Sequence, residues 1–132
     1  MTPRAILLTA LGGALGSVAR GWMALAVARL TGPGFPWGTV GINIAGSFAI
    51  GLFAALTASN GRFAESTDLR AFVIIGLCGG FTTFSSFSLQ TLELLREGRT
   101  VSALANIAGS VLLCLVATAA GFALGGGSAR PS

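Results

Sequence analysis

Four blocks of apolar residues, at 6–28, 37–58, 69–95 and 101–124, take up nearly the whole chain, with short polar connections between them. Each reaches the ~20 residues a helix needs to cross ~30 Å of hydrocarbon. The pattern predicts an all-α integral membrane protein, a four-helix bundle forming one domain over residues 1–132. The third block is irregular. Its run Gly79, Gly80, Phe81, Thr82, Thr83, Phe84, Ser85, Ser86, Phe87, Ser88 holds adjacent glycines and then five hydroxyls in seven residues. A third helix broken near 79–83 would free backbone N–H and C=O groups at mid-membrane. Such groups cannot face lipid, so they must be buried in protein, line water or bind an ion. The double glycine also suits close packing of an unbroken helix.

Composition agrees with the pattern. Hydrophobic residues make up 53% and charged residues 9%, with a mean hydropathy of +0.83, far from the quarter charged of soluble domains. The connections are short and the tail 125–132 is small and flexible in composition, so function must sit among the helices. A secretory signal can be read from Arg4 and Ile6 to Leu8, with cleavage near Gly16. The first block continues past Arg20 and three further spans follow, which favours a retained span.

The net charge of +4 comes from eight arginines and four acids. The arginines are scattered singly through loops and ends, without a basic stripe. That pattern speaks against nucleic acid and for juxtamembrane anchoring. With four spans, Arg4, Arg62, Arg70 and Arg130 share one side and Arg29, Arg96 and Arg99 the other, leaving Arg20 inside the first span. A difference of one gives the insertion machinery little to choose by. Insertion in both orientations, and an antiparallel dual-topology homodimer with its two-fold axis in the membrane plane, follow from that balance. A single orientation decided by Arg4 or Arg130 alone is the other reading. Gly12 and Gly16, Ser47 and Gly51, and Gly121 and Gly125 stand four apart, the spacing that lets helix backbones approach.

Histidine is absent from the chain, and Glu65, Asp68, Glu93 and Glu97 lie at or near span ends. A proton-coupled transporter needs a titratable group in its path, so the pattern favours passive conduction. Ser85, Ser86 and Ser88 have no base beside them within the bilayer, which argues against an enzyme. Cys78 and Cys114 lie in apolar spans, where cysteine behaves as a small hydrophobe rather than as part of a disulfide or metal framework. Arg20 follows Arg4 by 16 residues, or ~24 Å along a helix, which places it toward the far interface. There it is either a snorkelling anchor or a vestibule charge that attracts anions. Phe84 and Phe87, three apart, share a helix face. They are either a packing stripe or a pair of electropositive ring edges beside the hydroxyls. Asn43, at mid-span in the second block, brings an amide donor to the same depth, as interhelical glue or as an ion contact.

Taken together, Gly12-Gly13 with Arg20, Trp37-Gly38-Thr39 with Asn43, Gly46-Ser47-Phe48 and the run from Gly79 to Ser88 resemble the CrcB, or Fluc, fluoride channel family. The resemblance spans all four blocks. It implies antiparallel homodimers of four-helix subunits in the cell inner (plasma) membrane, with two pores that let fluoride leave passively. It also implies a structural sodium ion (Na+) at the dimer centre, held by the backbone carbonyls of Gly79 and Thr82 of each subunit. Phe84 and Phe87 match the family's phenylalanine pair, Asn43 its pore asparagine, and Ser110 one hydroxyl of its fourth-helix track. The expected ion pathway is thus Asn43, Thr83, Phe84, Ser85, Ser86, Phe87 and Ser110, with Arg20 in the vestibule. Three positions depart from the family pattern. Asn106 stands where some members carry tyrosine, Cys114 where some carry serine, and Gln90 where a glutamate is frequent. Fluoride, lipid and a second copy of the chain are the implied partners. The rival classes are a small four-helix multidrug or cation exporter, which would call for a glutamate in the first span, and a structural membrane subunit.

Overall fold

A computed structural model describes residues 1–127, and among them every regular element is helical. Arg130 and the rest of the tail from 128 onward lie outside the described residues. Helix α1 runs Pro3–Thr31 and α2 Trp37–Leu56. Helix α3 covers 67–81, as Thr67–Leu69, a π-helical Arg70–Cys78 and Gly79–Phe81. Helix α4 is Phe84–Arg96 and α5 is Thr100–Leu124. Four stretches, Pro3–Thr31, Trp37–Leu56, Thr67–Arg96 and Thr100–Leu124, are long and apolar enough to cross a membrane. The protein is a multi-pass membrane protein.

Capping explains where the helices exceed or fall short of the apolar blocks. Thr2 accepts from the N–H of Ala5 at 3.1 Å and Pro3 occupies the first turn, so α1 starts ahead of its apolar residues. It stops at Gly32, whose φ of 70° suits glycine. Helix α2 ends at Leu56, and the chain then turns back on it, with Phe63 N–H on the Leu56 carbonyl at 2.8 Å and Glu65 N–H on that of Thr57 at 3.0 Å. Ser66 caps α3 by accepting from Leu69 N–H at 3.3 Å. Asp68 in the first turn complements the helix dipole and pairs with Arg4 of α1 at 2.9 Å.

Small residues set which helices touch. At Gly12 a Cβ would strike the Phe72 carbonyl and lie 2.9 Å from Leu77 N, and at Gly16 it would strike the Leu77 carbonyl and lie 2.9 Å from Phe81 N. Gly76 returns the contact, where a Cβ would come within 2.7 Å of the Thr9 carbonyl. Thus α1 and α3 meet backbone to backbone. The same holds for α2 and α5, where Gly51 faces the Thr118 carbonyl and Gly121 that of Phe48. The spaced glycines therefore find their partners inside one chain. Gly79 and Gly80 also stay helical, and Gly80 lies against the backbone of Gly13. Of the stretch 79–83 where a break is expected, only the last two residues depart from the helix. The chain leaves helical geometry at Thr82 (φ −77°, ψ 156°) and Thr83 (φ −149°, ψ 109°), both extended. β-branched threonine adopts that region readily, whereas Gly80 is needed for its lack of a side chain against Gly13, and a Cβ at Gly79 would meet nothing closer than the Ile74 carbonyl at 3.9 Å.

Candidate functional site

Three side chains hold the extended pair in place. Thr82 closes α3, its N–H and its hydroxyl both donating to the Cys78 carbonyl at 2.9 Å. Asn43 of α2 then grips Thr83 from both sides. The Thr83 N–H donates to Asn43 Oδ1 at 2.8 Å, and Asn43 Nδ2 donates to the Thr83 carbonyl at 3.0 Å. The amide side chain thus offers an extended residue the donor and acceptor a neighbouring strand would supply. Thr83 in turn caps α4, accepting from the Ser86 N–H at 3.2 Å and donating its hydroxyl proton to Ser86 Oγ at 3.0 Å.

This arrangement leaves specific backbone groups free. In a continuous helix the Gly79 and Thr82 carbonyls would accept from the N–H groups of Thr83 and Ser86. Those N–H groups donate instead to Asn43 and to Thr83 Oγ1. The Gly80 carbonyl has found a partner in Arg20, whose Nε donates to it at 3.1 Å. The half-buried Arg20 side chain is thus tied to the end of α3. Helix α1 extends eleven residues past it to Thr31, and the guanidinium sits level with the end of α3, where a cation opposes the negative end of the helix dipole.

Beside the extended pair lies a cavity of about 400 Å³. Asn43, Thr82, Thr83, Phe84, Phe87 and Ser110 line it, with Ser47, Cys114 and apolar residues of α2 and α5. The rings of Phe84 and Phe87 stand 5.4 Å apart and tilted by 51°, so ring edges rather than one flat stack border the space. Phe84 is 77% exposed. The N-terminus of α4 opens on the same cavity and carries the positive end of its dipole.

Five of the seven residues expected on the ion pathway thus come together: Asn43, Thr83, Phe84, Phe87 and Ser110. Ser85 and Ser86 do not line the cavity. Ser85 is exposed and Ser86 is engaged with Thr83, because the turn of α4 carries them off the face that holds the two rings. Ser47 and Cys114 do line it. The signal for both was helical spacing, since each follows a pathway residue, Asn43 or Ser110, by four. Asn106 is 1% exposed and absent from the lining. It bonds to Thr91 and Ser110. Among the described residues no cluster of three or more His, Cys, Asp or Glu could hold a metal. Any cation here would have to rely on backbone or hydroxyl oxygen, the hard donors that suit such ions. The Gly79 and Thr82 carbonyls, deprived of their helical donors, fit that requirement.

Comparison with known proteins places these features in context. Residues 7–122 match the family described as CrcB-like protein, Camphor Resistance (CrcB). A protein of Methylocella silvestris called fluoride-specific ion channel FluC is 59% identical over 107 residues, covering 81% of this chain and 82% of the relative. Proteins of the same name from Methylobacterium radiotolerans and Paramagnetospirillum magneticum are each 52% identical, over 118 and 110 residues. These alignments cover 87% and 83% of this chain, and 80% and 86% of the relatives.

Proposed function

Since the chain belongs to the CrcB family, we propose that it is a fluoride-selective channel of the plasma membrane, passing fluoride out of the cell through the cavity at Thr82 and Thr83. The supporting observation is the kind of group gathered there. The lining holds hydroxyls, an amide, a helix N-terminus and ring edges, and neither a carboxylate nor a histidine. A small anion that leaves water must regain donors for its lost hydration. The second proton of Asn43 Nδ2, the Ser110 hydroxyl and the first N–H groups of α4 can serve, with the ring edges of Phe84 and Phe87 completing the shell. No group in the cavity needs to exchange a proton with the anion's passage, which supports passive flux; the family membership supports a channel rather than an enzyme.

The extended pair acts in this reading as the break of a transmembrane helix, and the working unit is an antiparallel homodimer. The exposure of Phe84 supports this, because a ring so bare leaves one side of the pathway unbuilt within a single chain. The small margin between arginines on the two sides supports insertion in both orientations. Sodium at the dimer centre would be held by the Gly79 and Thr82 carbonyls of both copies. When bound, it would supply positive charge to neutralise the facing ends of two α3 helices.

Expression of the chain in bacterial cells deprived of their own fluoride channel tests the function. Cytoplasmic fluoride should fall and growth in fluoride should recover; unchanged accumulation by a correctly inserted chain would refute it. A cation exporter would move protons with its substrate, and a structural subunit would give no flux when purified alone. For topology, single cysteines placed near Asn60 or Arg99 in a cysteine-free background should each label from outside in a fraction of the molecules. Labelling of only one position would contradict dual orientation.

A further inference from the structure

We propose that Asn106 and Thr91 are positioning residues that control where Ser110 sends its only proton. This inference rests on the channel reading above. Thr91 of α4 donates its hydroxyl proton to the Phe87 carbonyl at 2.7 Å. Having one proton, it can only accept from Asn106, so the 2.9 Å contact between them must come from Asn106 Nδ2. That fixes the amide orientation and turns Oδ1 toward Ser110, 3.3 Å away. Oδ1 is purely an acceptor, so Ser110 is the donor. Every arrow in the relay is therefore determined, from Ser110 through Asn106 and Thr91 to the backbone of Phe87.

Both ends of the relay line the cavity, while its middle does not. Asn106 is 1% exposed and Thr91 7%, so neither touches a passing ion. At rest the Ser110 proton points away from the cavity and its lone pairs face inward. An anion must turn that proton around in competition with Asn106. The competitor is weak, because 3.3 Å is long for an O–H···O bond, whereas the two bonds that hold Asn106 and Thr91 have ordinary lengths. The relay keeps a donor in reserve and sets how strongly an anion must pull to claim it.

The test is fluoride flux through purified protein in liposomes over a range of fluoride concentrations. In Asn106→Leu, Ser110 has lost its resting acceptor, and the half-saturating fluoride concentration should fall about 2- to 10-fold, the worth of one neutral hydrogen bond. Thr91→Val frees the amide to turn and should shift the constant in the same direction. In a Ser110→Ala background both shifts should disappear, since coupled residues are non-additive when one acts through the other. A purely structural role would move the constant equally in both backgrounds. Equal shifts, or none in either variant, would overturn the relay while wild-type flux upheld the channel. Absence of wild-type flux would overturn both readings.

Discussion

Replacing Asn43 by leucine separates holding the backbone from contacting the ion. Leucine keeps much of the volume and removes both bonds to Thr83, at 2.8 and 3.0 Å. The N–H and C=O of Thr83, a buried residue, are left without partners. Each such group costs about 1–3 kcal/mol, so the variant should lose about 2–6 kcal/mol, the lower end applying if cavity water reaches the freed groups. Asn43→Asp keeps the acceptor for the N–H but sets a charged second oxygen against the Thr83 carbonyl, so at neutral pH it should lose at least as much. Titration with a denaturing detergent gives the stabilities, and fluoride efflux from liposomes gives the function. Both should fall together in Asn43→Leu. Lost flux with stability within about 1 kcal/mol of wild type would mean that Asn43 serves the ion and not the backbone, and the reasoning from Thr83 would fail.

Four further outcomes are expected. Gly16→Ala, which forces a methyl onto the Leu77 carbonyl, should lower stability by about 1–3 kcal/mol, while Gly21→Ala, with open space around it, should raise it by up to about 1 kcal/mol; thermal unfolding in detergent distinguishes the pair. Thr83→Val retains extended backbone but loses the cap on Ser86, at a cost of about 1 kcal/mol, and an unchanged unfolding curve would show the cap to be idle. Arg20→Leu leaves the Gly80 carbonyl without its charged donor and should cost about 1.5–3 kcal/mol by the same titration; a more stable variant would contradict that role. Phe84→Ala and Phe87→Ala should cut fluoride flux sharply with the protein still eluting as wild type does, and wild-type conduction in the folded double variant would reduce the rings to packing.

Hydropathy was enough for the number of spans, because each must supply its own run of apolar residues to the bilayer. It was less informative about the third span, where two causes of glycine overlap. Gly79 and Gly80 suit a break and close packing alike; the place of Gly80 beside Gly13 accounts for it through helix approach, Gly79 has no such neighbour, and the extended residues are the threonines that follow. One-dimensional spacing cannot tell a glycine needed for its missing side chain from one needed for its backbone freedom. The cavity was legible where residues share a helix face, as Phe84 and Phe87 do, or follow one another by four, as Ser110 and Cys114 do. Ser85 and Ser86 lie off this cavity, since hydroxyl content says nothing about direction. The clamp of Asn43 on Thr83 and the contact of Arg20 with Gly80 bridge 40 and 60 residues of sequence. No local pattern encodes pairs that only the packing of α1 and α2 on the third span brings together.

The central claim is passive, fluoride-selective conduction by this chain alone. Purified protein in liposomes loaded with equal fluoride and chloride, and given no proton gradient, tests it directly. Fluoride should leave rapidly while chloride stays behind. Equal efflux of the two ions, or fluoride movement only when a proton gradient is imposed, would contradict it.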